Sequence, residues 1–213
     1  VVDESLLLRA QQVRSAIASG AMHGDAFMKE LVSVPRRDRD VWVDALLGLE
    51  LPPPEDPNLP RGSVFYLPCG VEEILAMVID APLREGDRFV DLGAGLGRVV
   101  ILAHLLTGAR AHGVEIQAAL THAANALRDA LNLSRVTFEH ENAANVALDG
   151  SHFFLYAPFN GEMLLAVLRR IEEVARRKRI VVCTVALELD VKWLKRRTGK
   201  NVSLAIYDST IPA

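Results

Sequence analysis

The sequence predicts an α/β fold, a doubly wound, mostly parallel sheet with an antiparallel edge strand and an N-terminal helical appendage. Three observations carry this. From residue 88 onward, short apolar runs alternate with amphipathic segments of helical period. The first run, Arg88 to Leu92, passes directly into a loop with glycine at every second position, Gly93-Ala94-Gly95-Leu96-Gly97. That is a strand, a tight turn and a helix N-terminus, the arrangement with which α/β proteins cradle nucleotide-like ligands. The next run, Arg110 to Val114, ends in Glu115, an acid placed to accept from both hydroxyls of a ribose.

The elements follow in order. Residues 3–19 carry Leu6, Ala10, Val13 and Ile17 at helical spacing, and residues 25–49 form a second helical region broken at Pro35. Five prolines between residues 51 and 60 make an extended, stiff connector that is not part of a core. This divides the chain into a helical cap (1–50), a proline-rich connector (51–62) and an α/β core (63–213). In the core, helices are expected over 70–79, 96–106, 117–131 and 162–176, and strands over 88–92, 110–114, 136–140, 152–157 and 179–187. The helix over 162–176 shows its buried face in Leu164, Val167, Leu168, Ile171 and Val174, at steps of three and four. A last strand over 202–208, after a basic segment, is expected to pair at the sheet edge. Glu72 and Glu73, behind the connector, read as the start of the helix over 70–79.

A chain of 213 residues can bury one α/β core and carry an appendage. Half of it is hydrophobic and its net charge is −3, so nothing global calls for nucleic acid or an anionic membrane. No apolar run is long enough to span a bilayer and no secretory pattern opens the chain. Cys69 and Cys183 lie far apart and read as reduced thiols, and the histidines show no ligand spacing. A cytoplasmic protein without a metal site is the expectation. The basic runs 176–179 and 192–197 read as solvated helix ends, with no aromatic stacking pattern beyond Trp193, so a nucleic-acid partner is not expected. Composition does not set the oligomeric state.

The glycine loop departs from the dinucleotide fingerprint. Counted from Gly93, the third glycine of G-x-G-x-x-G would fall at position 98, which is arginine, and it stands one place early, at Gly97. The pattern D-x-G-x-G-x-G suits a ligand that brings a small zwitterion, not a diphosphate, to the helix N-terminus. A plain turn followed by an unrelated surface acid is the ordinary alternative.

These residues resemble the class I S-adenosylmethionine-dependent methyltransferases. Asp91 to Gly97 is similar to that family's first motif and Gly113-Val114-Glu115-Ile116 to its second. The resemblance implies a Rossmann-like sheet and S-adenosyl-L-methionine as methyl donor, with S-adenosyl-L-homocysteine as product. It implies that the backbone of Gly93, Ala94, Gly95 and Gly97 meets the methionine part, with Asp91 nearby, that Glu115 holds the ribose and that Ile116 packs on adenine. An Asp that accepts from the adenine amino group is usual just beyond the third strand. Here that place is Asn142, followed by Ala143, and its amide oxygen can accept the same bond. The segment Val64-Phe65-Tyr66-Leu67-Pro68-Cys69 is similar to a Tyr-Val-Pro-Thr loop of bacterial and mitochondrial lysine-methyltransferase-like proteins and to a loop of the non-SET histone-lysine methyltransferases. It implies that Tyr66 lines the site, and it puts Cys69 where those relatives carry a Thr that binds the donor carboxylate.

Methyl transfer is an in-line displacement that needs a deprotonated nucleophile about 3 Å from the methyl carbon. The reaction site of this fold lies at the carboxyl end of the fourth strand, which reads Leu155-Tyr156-Ala157-Pro158-Phe159-Asn160. This end is partly similar to the Asn/Asp-Pro-Pro-aromatic motif of methyltransferases acting on planar or amide nitrogens. Ala157 stands where that motif needs a polar side chain, so a nucleobase amine is not inferred. Tyr156, Asn160 and Tyr66 are the catalytic candidates, Asn160 equally an N-cap of the next helix. With a lysine acceptor, Tyr66, Tyr156 and Phe159 would form an apolar channel that favours the neutral amine. The acceptor stays open between protein lysine and a small molecule. A module that binds the donor without catalysis is the second reading, on Cys69, Asn142 and Ala157, and a nicotinamide-dependent oxidoreductase is the third.

Overall fold

The computed structural model describes residues 4–49, 51–198 and 203–211. Residues 3 and 202, the expected ends of the first helix and last strand, lie outside them. Three helices open the chain, α1 (Glu4–Ala18), α2 (Gly24–Ser33) and α3 (Arg39–Leu47), with a 3-10 turn at Arg36–Asp38 where Pro35 breaks the second region. The connector leads to α4 (Val71–Asp80). The core then runs β1 (Arg88–Leu92), α5 (Arg98–Thr107), β2 (Arg110–Glu115), α6 (Ala118–Ala130), β3 (Val136–His140), β4 (His152–Tyr156), α7 (Gly161–Ala175), β5 (Val181–Val185), β6 (Leu194–Arg196) and β7 (Leu204–Ser209).

The seven strands form one sheet in the order β3-β2-β1-β4-β5-β7-β6. The pairs from β3 to β5 are parallel, and β7 is antiparallel to both its neighbours. The expected antiparallel strand is therefore present, one place in from the edge. The edge itself is β6, three residues of the basic segment, whose cluster the sequence reads as a solvated helix end and not as a strand. Its sequence Leu194-Lys195-Arg196 has no apolar alternation of its own. It pairs because β7 leaves a row of free backbone groups on that side.

The chain winds outward from β1 to β3, then returns to β4 on the other side of β1. That reversal opens a crevice at the carboxyl ends of β1 and β4. Phe153, Phe154 and Leu155 of β4 are buried, as a strand covered on both faces requires. One face is packed by α7, whose Val167, Leu168, Ile171 and Val174 meet Val90, Leu92 and Leu155. The other face is packed by α4 and α5. Ala10, Val13 and Ile17 of α1, Phe27 and Leu31 of α2 and Trp42, Val43 and Leu46 of α3 belong to that second cluster. The hydrophobic core of the N-terminal helices is thus continuous with that of the sheet. Among the described residues no helix is long and apolar enough to cross a membrane.

Candidate donor-binding cleft

The crevice is a narrow cleft lined by residues from five segments. The connector and its following loop give Leu59, Ser63 to Leu67 and Cys69; the β1 loop gives Asp91, Gly93, Ala94 and Arg98. The end of β2 gives Val114 to Gln117, the loop after β3 gives Glu141 and Ala143, and the end of β4 gives Tyr156, Pro158 and Phe159. Residues 62–64 pair with the β4 loop through Val64 N to Pro158 O (3.1 Å), Asn160 N to Gly62 O (2.8 Å) and a bridge between Ser63 and Phe159.

The glycine loop is shaped by close approach. A Cβ on Gly93 would lie 2.5 Å from Pro158, and one on Gly97, at φ +82°, would lie 2.4 Å from the Phe138 ring. The early third glycine therefore serves tight packing of α5 on α6 and β3. Over Gly95 lies the ring of Tyr66, whose Cε2 stands 2.1 Å from where a Cβ would be. Gly93 and Ala94 donate their amides to Val114 O, at 2.9 and 3.1 Å, which fixes the loop to β2.

Glu115 is buried at the end of β2 and accepts from Gly95 N and Gln117 N, both at 2.8 Å. Burial raises its pKa and the two backbone bonds partly offset that. Asp91 is 2% exposed and, among the described residues, its carboxyl has no hydrogen-bond partner. Burial, with the Glu115 charge second, pushes its pKa well above the usual carboxylate value. Burial pushes the Tyr66 hydroxyl up to about 12 and raises the Cys69 thiol further, so both stay protonated at neutral pH. Tyr66 can donate a hydrogen bond or form a wall. It is no base.

Of the residues the sequence singled out, Tyr66, Asp91, Gly93, Ala94, Glu115, Ile116, Ala143 and Tyr156 line the cleft together with Phe159. Gly95, Gly97, Asn142 and Asn160 are not among its lining residues. The Tyr66 ring covers Gly95, and Gly97 is turned toward Phe138. Asn142 closes a local turn, its Oδ1 accepting from Ala144 N at 2.9 Å. Asn160 is exposed at the N-cap position of α7, with no side-chain capping bond. Glu72 and Glu73 start α4, Glu72 paired with Arg36 and Arg39. Ala157 turns the chain out of β4 at φ +38°, a strained value for a residue with a Cβ.

Three cleft features were not singled out in the sequence. Gln117 is buried beside Glu115, and its side chain meets Glu55 and Asp56 of the connector. Glu55 also accepts from Tyr66 N at 2.8 Å, which fastens the loop over the cleft. Arg98 is 4% exposed and holds Asp40 and Asp44 of α3. A signal for it was available: a cation in the first turn of a helix opposes the macrodipole and needs a local reason. Among the described residues, four of the eight cations of the basic runs are ion-paired, Arg176 with Glu172, Lys178 with Asp149, Arg196 with Glu188 and Arg197 with Asp208.

A family model described as "Histone methylation protein DOT1" matches residues 69–155, from the loop over the cleft to the end of β4. Among solved structures, an RNA methyltransferase from Salinibacter ruber in complex with S-adenosyl-L-homocysteine is similar over 68% of this chain and 94% of its own, at 24% identity and a TM-score of 0.55. A putative methyltransferase, yhhF from Escherichia coli, is similar over 67% of this chain and 85% of its own, at 16% identity and a TM-score of 0.53. A mutant of MtNAS follows at 20% identity and a TM-score of 0.52, and the match spans 60% of its length. No curated protein sequence matches the chain. These likenesses establish the fold as the Rossmann-like α/β fold that these methyltransferases share.

Proposed function

We propose that the chain is an S-adenosylmethionine-dependent methyltransferase, with a protein lysine as acceptor. The observation that carries the donor assignment is the meeting of the glycine loop, Asp91 and Glu115 at the crevice between β1 and β4. The residues fit the group. Glu115, fixed by two backbone amides, faces the cleft with lone pairs to spare for a ribose diol. Asp91, buried without a partner, suits the donor's ammonium. Ile116 and Ala143 offer apolar surface for adenine. Bound S-adenosylmethionine supplies a methyl group activated for in-line displacement.

The chain's own residues do the rest. Tyr66 and the connector loop cover the glycine loop and exclude water from it. Tyr156, Pro158 and Phe159 form the wall beyond, next to Phe65, and this apolar setting favours the neutral amine of a lysine over its ammonium. No side chain of the wall has to become a base if the lysine sheds its proton to water on entry; the Tyr156 hydroxyl accepts a hydrogen bond from the neutral amine and orients it. The family description and the similarity of residues 64–69 to the lysine-methyltransferase loops support this acceptor class. A second reading, a donor-binding module without turnover, is favoured by one observation: at the end of β4 Ala157 stands on the acceptor side, where the similar motif carries a polar side chain.

Labelled methyl transfer from S-adenosylmethionine to lysine-containing protein extract tests the reading. Label should enter acid-stable lysine adducts, and Tyr156→Phe should lower turnover roughly tenfold or more while donor affinity stays within about twofold. Donor binding with no labelled product across many extracts would favour the module. Equal loss of binding and turnover in Tyr156→Phe would remove Tyr156 from the acceptor side.

A further inference from the structure

We infer that Arg98 is the residue that meets the carboxylate of the methyl donor, held in place for it by Asp40 and Asp44 of α3. The inference rests on the donor assignment above and adds to it the group that selects an amino-acid-bearing nucleoside. Arg98 opens α5 directly after Gly97. A guanidinium there opposes the positive helix N-terminus, and burying it is costly unless it is fully partnered. Yet it is 4% exposed and only partly partnered. Its Nη2 donates to Asp40 O at 3.0 Å and to Asp40 Oδ1 at 2.9 Å, with Asp44 Oδ1 at 3.5 Å. Its Nε is buried and has no hydrogen-bond partner among the described residues.

Arg98 is also the only cation among the described residues that line the cleft, against Asp91, Glu115 and Glu141. A ligand that carries both an ammonium and a carboxylate therefore has acids for the first and one group for the second. Of the other side-chain donors there, the Tyr66 hydroxyl can add a hydrogen bond but no charge, and two suit a carboxylate poorly. Cys69 is a weak, protonated thiol, and Ser63 Oγ is turned to Met163 Sδ at 3.7 Å. Asp40 is in turn fixed by Val71 N at 3.0 Å, so α3, α4 and α5 meet at the arginine. The N-terminal helices thereby become part of the donor site.

The test is calorimetric titration of S-adenosylhomocysteine and of 5′-methylthioadenosine, which shares the nucleoside and lacks the amino acid, into the native chain and into Arg98→Gln. A charge-assisted bond to a carboxylate is worth roughly ten- to a hundredfold in affinity. S-adenosylhomocysteine should weaken by about that factor in the variant, while methylthioadenosine binds the two proteins within about twofold. Equal losses for both ligands, or none for either, would overturn the role of Arg98 and leave the donor assignment standing. Failure of the native chain to bind either ligand would overturn the donor assignment, and this inference with it. If Arg98→Gln does not fold, the native chain decides: the methyl ester of S-adenosylhomocysteine should bind about tenfold or more weaker than the free acid, and equal affinity would overturn the inference.

Discussion

Asp91 is a carboxyl at the end of β1 that is 2% exposed, and its burial, with the Glu115 charge second, raises its pKa. A carboxyl whose folded pKa lies above its unfolded value binds more protons folded than unfolded between the two. It stabilises the fold below the unfolded value, and that contribution is lost as pH rises through the raised one. An ammonium brought beside it reverses the shift, so donor binding should release a proton at pH values where Asp91 is still protonated in the free protein. Titrations of S-adenosylhomocysteine in buffers of different ionisation enthalpy are expected to show that release, with affinity rising with pH until Asp91 is ionised in the free protein. Asp91→Asn should raise the melting temperature of the ligand-free chain and weaken S-adenosylhomocysteine binding at least tenfold. A lower melting temperature with unchanged affinity would mean that the carboxylate serves the fold alone. Gly97→Ala meets a left-handed backbone and the Phe138 ring, and should cost roughly 2 kcal/mol or more in denaturant unfolding. At this scale the places of Asp91, Gly93 and Glu115 in the cleft were legible because spacing and strand ends set them, whereas Gly95 and Gly97 do not line it. Arg98 and the turn at Asn142 were not legible, since both depend on partners that only the folded chain supplies.

Among the elements, the connector departs most from what its composition announces. Proline content makes it extended and stiff, but not idle: Glu55 and Asp56 reach Gln117 at the start of α6, and Glu55 also holds the amide of Tyr66. The sequence separation of 61 between Asp56 and Gln117 explains why no local pattern revealed this. Glu55→Ala should loosen the loop over the cleft. Hydrogen exchange of amides 59–69 is expected to quicken at least tenfold and donor affinity to fall several-fold, with global stability changed by about 1 kcal/mol. Unchanged exchange would show the loop held by its pairing with residues 158–160 alone. The helices α4 to α7 and strands β1 to β5 were legible from their periods and stand within two residues of expectation. The strand β6 was not, because edge pairing with β7 and not its own residues makes it a strand.

For the molecule as a whole, the division into cap, connector and core in the sequence becomes one continuous packing. Phe27, Leu31 and Trp42 are buried in the same cluster as Ile74 of α4 and Ile101 of α5. Removal of residues 1–50 is therefore expected to abolish cooperative thermal unfolding followed by circular dichroism, because it strips one face of α5. A truncated chain with a sharp transition would restore the appendage to an independent unit. The central claim is that the crevice at Asp91, Gly93 and Glu115 takes a methyl donor and not a dinucleotide. Calorimetric titration of the native chain with S-adenosylhomocysteine and, separately, with NAD tests it most directly. The account predicts saturable one-to-one binding of S-adenosylhomocysteine and none of NAD at the same concentrations; saturation by NAD with no heat from S-adenosylhomocysteine would contradict it.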